Sequence, residues 1–163
     1  MRGRQGRQIA QRVQAFGARV IYHTPLPKTD CDWGYTDSVV GLAKQSRFLI
    51  VACPGGPATH HIVDANVLAT LGPNGFLINI ARGSIVDTKA LIDALSRGRI
   101  AGAALDVFES EPNVPPELLG IDNLICTPHM AGRSPEAEKG QTELLMANLQ
   151  AFFAREPLLT PVP

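Results

Sequence analysis

A guanidinium, a pair of carboxylates and an imidazole each follow one of three successive predicted strands. Arg82 follows the apolar run at residues 76–80, Asp106 and Glu111 follow residues 100–105, and His129 follows residues 124–126. The carboxyl ends of parallel strands meet at one edge of a sheet, where open α/β folds bind ligands. Arg is well shaped to hold a carboxylate through two parallel hydrogen bonds. We therefore expect Arg82 to clamp a small carboxylate, with an acid and an imidazole beside it.

The elements that position these side chains alternate between strand and helix. Apolar runs predict strands at residues 18–22, 48–53, 76–80, 100–105 and 124–126. Helical spacing of apolar residues predicts helices at 9–16, 36–43 and 64–71, between Asp87 and Gly98, and after Ser134. This alternation is typical of an α/β fold with a doubly wound parallel sheet of the Rossmann type. A length of 163 residues favours a single core.

The first six residues resemble the end of a GxGxxG phosphate-binding turn. Gly3 and Gly6 have the spacing of its last two glycines, and Met1 stands where the first would be. Gly3 would let the backbone approach a pyrophosphate, Gly6 would allow close helix packing, and the helix N-terminus carries partial positive charge. We place Gly3, Arg4, Gln5 and Gly6 at a dinucleotide's phosphates, although glycines at loop-to-helix junctions are common.

The loop after the strand at residues 18–22 bears on the choice between NAD and NADP. An NAD site usually has an acidic residue near this strand end, and none occurs before Asp30. His23, Thr24 and Pro25 occupy the position, which favours NADP. Because the loop has no arginine to bind a 2′-phosphate, this preference is modest and NAD remains an alternative.

The residues after the strand at 48–53 form a glycine–proline turn. Cys53 and Pro54 begin it, and we expect them to contact a cofactor ribose, the alternative being an ordinary connecting loop. Cys31, Cys53 and Cys126 are odd in number and widely spaced, which indicates reduced packing residues.

Charge and hydropathy argue against several kinds of partner. The sequence has 15 basic and 15 acidic residues without a block of either sign, so we expect no nucleic-acid partner. Its apolar runs are shorter than the roughly 18 residues that a membrane span needs, and the basic start lacks the apolar region of a signal peptide. These features predict a cytoplasmic protein without a membrane partner.

His60 and His61 are adjacent and invite comparison with a metal site. Neighbouring residues usually point to different faces, and neither an acidic residue nor a cysteine is near them in sequence. We therefore expect a loop pair and no metal site.

Four motifs in order resemble the D-isomer-specific 2-hydroxyacid dehydrogenases, particularly the glyoxylate/hydroxypyruvate reductase branch. They are VACPGG at 51–56, INIARGSIVD at 78–87, LDVFESEP at 105–112 and TPHMAGRSPEA at 127–137. The resemblance covers nearly the whole chain. It implies reduction of a small 2-oxo acid, with hydride supplied by NADP or NAD.

The resemblance also implies a role for each matched residue. Arg82 would anchor the carboxylate and carbonyl of the 2-oxo acid, and His129 would donate and accept the proton. Glu111 would pair with His129 and favour its protonated form. The implied cofactor contacts are Cys53, Pro54, Ile80, Ala81, Arg82, Asp106, His129 and Gly132, with Asp106 at the nicotinamide end.

The sequence departs from the family pattern at its start. The N-terminal part of the substrate domain and the first strand of the cofactor domain are missing from it. We therefore expect residues 1–133 to be an incomplete NAD(P)-binding domain. Residues 134–163 would be a helix and tail that pack on the substrate domain in the family and that here expose an apolar stripe.

These departures leave the activity of the chain open. We expect the chain alone to be inactive or incomplete, with a homodimer or a partner chain supplying the missing part. The rival interpretations are a non-catalytic remnant that binds nucleotide or oligomerises, and a corepressor-like binding role.

Overall fold

A computed structural model describes residues 4–161, so the prediction for Gly3 lies outside the described residues. The helices are α1 Arg4–Ala15, α2 Val39–Lys44, α3 Ala65–Leu71, α4 Thr88–Ser96, α5 Pro116–Leu119 and α6 Pro135–Ala154. The strands are β1 Ile21–His23, β2 Gly34–Thr36, β3 Phe48–Val51, β4 Phe76–Asn79, β5 Gly102–Leu105 and β6 Leu124–Cys126. Short 3₁₀ turns occupy Pro57–Thr59 and Gly83–Ile85.

All strand pairs are parallel, which confirms the predicted Rossmann-type α/β class. β1 pairs with β2, and β3, β4, β5 and β6 follow one another in a four-stranded sheet. The usual Rossmann order is 3-2-1-4-5-6, in which the first strand lies between the second and fourth. Within residues 4–161 no strand joins β1 to β3. The sheet is therefore in two pieces rather than one.

The core lies on both faces of β4, the second strand of the larger sheet. Leu77 of β4, Ile85 after it and Leu91 of α4 are almost completely buried. Helices α3 and α4 supply further buried side chains at helical spacing, including Val67, Leu68, Ala94 and Leu95. A strand covered on both faces is fixed in position, so the turn that follows it is fixed as well.

Side-chain caps begin the helices where the sequence predicted them. Asp87 Oδ1 accepts from the backbone N–H of Ala90 at 3.0 Å and begins α4. Ser134 Oγ accepts from the N–H of Ala137 at 3.1 Å and begins α6. These bonds satisfy N–H groups that lack an acceptor within the helix.

The predicted boundaries differ from the structure near β2. Thr36 was predicted to begin a helix, but it ends β2, and α2 begins three residues later after its cap, Ser38. The sequence analysis predicted neither β2 nor α5. Each has three or four residues, too few to show a period, and the position of β2 depends on its pairing with β1.

The chain divides into two compact units, Met1–His129 and Met130–Pro163. The second unit contains α6, whose Leu145, Phe152 and Phe153 are exposed, as the sequence predicted for its apolar stripe. Asn148 of α6 bonds to Thr160 of the tail. Among the described helices, none is both long and apolar enough to span a bilayer.

Candidate active site

Arg82 lies in the turn after β4, where the side chain of Asn79 holds the backbone. Asn79 Nδ2 donates to the carbonyl oxygen of Arg82 at 2.9 Å, and its Oδ1 accepts from the N–H of Ala81 at 3.0 Å. Asn79 is fully buried, so both bonds are shielded from water. The sequence analysis assigned Asn79 no role. The available signal was a single polar residue in a buried apolar strand.

The side chain of Arg82 is exposed and passes a glycine of the loop after β3. A Cβ atom at Gly55 would lie 2.8 Å from Arg82 Cγ and 3.1 Å from its Cβ. Any larger residue at position 55 would therefore displace the Arg82 side chain. Arg82 Nη1 donates to the carbonyl of Ala81 at 2.6 Å. A guanidinium has five N–H donors, so this bond leaves donors for a carboxylate.

Gly83 brings the Arg82 turn against the loop after β5. A Cβ atom at Gly83 would lie 1.9 Å from the carbonyl carbon of Phe108 and 2.2 Å from the amide nitrogen of Glu109. Only glycine permits this approach of two backbones. The turn that carries Arg82 is thus held beside the loop that carries Glu111.

His129 is attached to the loop after β5 by two bonds. Its Nδ1 lies 2.9 Å from Glu111 Oε2, and its backbone N–H donates to the carbonyl of Asp106 at 2.9 Å. The φ angle of His129 is 50°, in the left-handed region that His enters more often than most residues. The structure therefore brings together the imidazole and the acid that the sequence paired. Their catalytic roles remain predictions.

The carboxylate of Glu111 is held by both of its oxygens. Oε1 accepts from the N–H of Phe108 at 2.8 Å while Oε2 faces His129. The hydrogen bond from His129, then that from Phe108, and the charges of His129 and Arg82 outweigh burial and keep the pKa of Glu111 below its ordinary value. An ionised carboxylate only accepts hydrogen bonds, so Nδ1 of His129 carries a hydrogen. Nε2 is then the ring nitrogen that remains for a substrate.

Asp106 joins the ends of three strands. Its backbone N–H donates to the carbonyl of Asn79, and its Oδ1 accepts from the hydroxyl of Thr127 at 2.6 Å. The residue is 5% exposed. Asp106 therefore fixes the spacing of the loops that carry Arg82 and His129. Its predicted contact with nicotinamide remains a prediction.

Arg4, Gln5 and Gly6 form the first described turn of α1, as the phosphate-binding prediction requires. A Cβ atom at Gly6 would lie 3.8 Å from Cβ of Ala52, which is an ordinary contact distance. The expectation that Gly6 is glycine to permit close packing is therefore wrong, because a methyl group fits. The helix N-terminus itself still favours an anion.

The loop after β1 places polar groups at the strand end. His23 Nδ1 lies 3.0 Å from the carbonyl of Thr36, and the Thr24 hydroxyl donates to the carbonyl of Leu26 at 2.7 Å. Pro25 is exposed. The first carboxylate after the strand, Asp30, is bound by Arg7 of α1 with an Nη2 to Oδ2 distance of 2.5 Å.

The remaining predicted contacts fall into two groups. Cys53 and Pro54 follow β3, while Ile80 and Ala81 follow the adjacent β4. Burial raises the pKa of the Cys53 thiol, so this group is protonated near neutral pH. Gly132 belongs to the second unit, after the boundary at His129.

The structure overturns the reasons given against a metal site at His60 and His61. Their rings are stacked with centroids 3.9 Å apart, so they do not point to different faces. An acidic partner is also present, because His61 Nε2 lies 2.7 Å from Glu109 Oε1. Glu109 is 48 residues away in sequence, so only folding reveals the contact.

Residues 2–131 match the family model for the NAD-binding domain of D-isomer specific 2-hydroxyacid dehydrogenases. The chain belongs to the D-isomer-specific 2-hydroxyacid dehydrogenase family. Glyoxylate/hydroxypyruvate reductase A of Arabidopsis thaliana is 46% identical over 160 residues, which cover 98% of this chain and 51% of that protein. Hydroxyphenylpyruvate reductase of Plectranthus scutellarioides is 45% identical over the same number of residues.

A solved structure of this 2-hydroxyacid dehydrogenase family has the same fold. It is the NADPH-dependent glyoxylate/hydroxypyruvate reductase of Sinorhizobium meliloti in complex with NADP and malonate. It matches with a TM-score of 0.92 and 46% identity, covering 96% of this chain and 49% of that one. The chain thus spans about half the length of the relatives that it matches.

Proposed function

We propose that this chain carries the catalytic half of an NAD(P)-dependent reductase of small 2-oxo acids. The substrate would be of the glyoxylate or hydroxypyruvate type, and the product the D-2-hydroxy acid. The observation that carries the proposal is the His129–Glu111 pair, with 2.9 Å between Nδ1 and Oε2, beside the turn of Arg82. The names of the 45–46% identical relatives support the reaction class.

Arg82 would bind the substrate. Its free N–H groups can hold the substrate carboxylate through two parallel bonds, and its charge stabilises the negative charge that develops on the carbonyl oxygen. Asn79 fixes the backbone from which the side chain extends, and Gly55 leaves room for its stem. The position of the guanidinium is therefore set by buried groups as well as by the exposed loop.

His129 would transfer the proton. Because Nδ1 is bound to Glu111, Nε2 donates a proton to the developing alkoxide in reduction and accepts one in oxidation. The ionised Glu111 orients the ring and stabilises its positive form. This arrangement resembles the acid–imidazole pairs that orient a general base in other enzymes.

The described residues fit a bound dinucleotide. The N-terminal turn of α1 suits the pyrophosphate, and the strand ends at His23, Val51 and Asn79 lie on one edge of parallel sheets. The reduced nicotinamide would supply the hydride. We favour NADP, because the loop after β1 has no carboxylate and Asp30 is bound to Arg7.

We propose the domain division expected from the sequence. Residues 1–133 would bind the cofactor, and residues 134–163 would pack on a substrate domain through the exposed apolar side chains of α6. Arg82 is exposed and the side chain of His129 is 51% exposed, so water surrounds both in this chain. Reductase activity of the chain alone would be negligible, because open sites position substrates poorly.

The test joins this chain to the N-terminal half of a family relative and measures NADPH oxidation with glyoxylate. In this hybrid, His129→Asn tolerates the left-handed backbone but removes the imidazole, so kcat should fall about 10²–10⁴-fold. Arg82→Gln should raise KM and lower kcat. The matched control Arg97→Gln changes an exposed arginine bound to Asp93 and should leave both constants unchanged.

Circular dichroism and NADPH titration show whether the hybrid is folded. A folded hybrid that binds NADPH but reduces no 2-oxo acid would favour the rival function, a non-catalytic nucleotide-binding module. Retained activity in His129→Asn would refute the proposed proton donor. Turnover of glyoxylate by the chain alone at ~1 s⁻¹ or faster, an ordinary enzyme rate, would contradict the expected need for a second half.

A further inference from the structure

Three potential metal ligands from two distant loops converge on one side of the first unit. His60 and His61 follow the 3₁₀ turn Pro57–Thr59, and Glu109 lies in the loop after β5. One ligand atom from each lies within 4.8 Å of the others. The cluster is separate from the candidate active site, because Glu111 is the residue that binds His129.

An unusual backbone conformation brings the two adjacent imidazoles to the same side. His61 has a φ of 50°, in the left-handed region, and its N–H donates to the carbonyl of Ser84 at 2.9 Å. His60 has an extended backbone, with φ −62° and ψ 124°. This change of conformation between neighbours turns the second ring back over the first. Such strained residues persist where surrounding structure holds them, often at functional sites.

Glu109 is oriented by groups on both of its oxygens. Oε1 faces His61 Nε2 at 2.7 Å, and Oε2 accepts from the hydroxyl of Thr88 at 2.9 Å. Burial raises the pKa of Glu109, but the bonds from His61 and Thr88 and the charges of His61 and His60 outweigh it and leave the pKa below its ordinary value. The carboxylate is thus ionised near neutral pH and ready to bind a cation. The Thr88 bond is of the kind that orients metal ligands from outside the coordination sphere.

We propose that His60, His61 and Glu109 bind a divalent transition metal ion of the zinc type. Two imidazole nitrogens and one carboxylate oxygen form a donor set that zinc accepts, with water in the fourth position. The ion would take the place of the hydrogen shared by His61 and Glu109. It would also tie the loop after β3 to the loop after β5.

Coordination requires a small opening of the cluster. Ligand atoms about 2.0–2.2 Å from a tetrahedral zinc ion are more than 3 Å apart, so the 2.7 Å contact between His61 and Glu109 must lengthen. The side chains of these two residues are 35% and 34% exposed, which leaves them room to rotate. The stacked rings must also tilt so that both nitrogens point to one centre.

Isothermal titration of the EDTA-treated chain with Zn²⁺ tests the site. We expect one ion per chain, with affinity lowered at least ~10-fold in each of His60→Ala, His61→Asn and Glu109→Gln. This is the lower end of the loss that follows removal of an outer hydrogen-bond partner, and Thr88→Val should show that loss as well. His61→Asn keeps a residue that tolerates the left-handed backbone. Absorption of bound Co²⁺ should disappear in the same three ligand variants.

Two matched controls separate this site from other ligands of the chain. His23→Gln removes an imidazole outside the cluster, and Glu111→Gln removes a carboxylate two residues from Glu109. Both should leave Zn²⁺ affinity unchanged. Burial raises the thiol pKa of Cys53 and Cys126, so both are protonated near neutral pH and compete weakly.

Three results would overturn the proposal. They are the absence of saturable Zn²⁺ binding, unchanged affinity in folded His60→Ala, His61→Asn and Glu109→Gln variants, and loss of binding in Glu111→Gln. The last result would move the ion to the His129–Glu111 pair. Circular dichroism of each variant establishes that it is folded. The titration requires no reductase activity, so failure of the proposed function would leave its outcome unaffected.

Discussion

The buried side chain of Asn79 bonds to the backbone on both sides of the peptide that joins Ala81 to Arg82. It donates to the Arg82 carbonyl at 2.9 Å and accepts from the Ala81 N–H at 3.0 Å. A side chain fixed in the core thus sets the direction of an exposed guanidinium. This relationship makes the substrate clamp dependent on a residue that would touch no substrate.

Asn79→Ala should lower the free energy of unfolding by about 1–3 kcal/mol, because it leaves a buried N–H without its partner. Urea unfolding followed by circular dichroism measures the loss. Asn123→Ala is the matched control, since the exposed Asn123 donates only to the carbonyl of Ala101 at 3.2 Å. An equal loss in both variants would show that the Asn79 bonds contribute no more than an exposed bond.

Gly55→Ala should displace Arg82 with little effect on the fold. The added methyl would lie 2.8 Å from Arg82 Cγ, and a displacement of about 1 Å can cost ~10²-fold in rate. We expect kcat/KM of the hybrid enzyme for glyoxylate to fall by up to that factor. Gly120→Ala is the control, because a Cβ there meets nothing within 4 Å. Unchanged kinetics in Gly55→Ala would mean that the Arg82 stem is not held by this contact.

The Glu111 carboxylate should titrate below its ordinary pKa of 4.5 in an NMR experiment on the chain in EDTA. Removing the hydrogen bond and charge of the imidazole by His129→Asn should raise this pKa. Because the folded pKa is depressed, the pair stabilises the fold fully above pH 4.5, and this contribution is lost as pH falls through the folded pKa. His23→Gln should not move the Glu111 titration, and an unmoved titration in His129→Asn would contradict the pairing.

NADPH should bind the chain at least as tightly as NADH, as measured by calorimetric titration. The loop at His23 offers no carboxylate to bind a 2′-hydroxyl or repel a 2′-phosphate, and Arg7 holds Asp30. Asp30→Asn should therefore change neither affinity appreciably. A clear preference for NADH that disappears in Asp30→Asn would show instead that Asp30 leaves Arg7 and binds the ribose.

The sequence predicted most of the elements that build the site. The strands preceding Arg82, Asp106 and His129, and the caps at Asp87 and Ser134, follow from local hydrophobic runs and capping residues. Such signals depend on neighbours within a few residues and are therefore visible without a fold. The division of the sheet, β2 and α5 were not predicted. These features depend on pairing and packing between distant segments.

Sequence alone determined which residue types reach the carboxyl edge of the sheet, because strand direction and loop position order them there. It did not determine the partner of each acid. Glu109 and Glu111 are both carboxylates, two residues apart in one loop, and either could have met His129. The packing of Gly83 on Phe108 and Glu109 fixes the start of that loop. Glu109 then meets His61 and Glu111 meets His129, because contacts 48 and 18 residues apart arise only when the strands between them are packed.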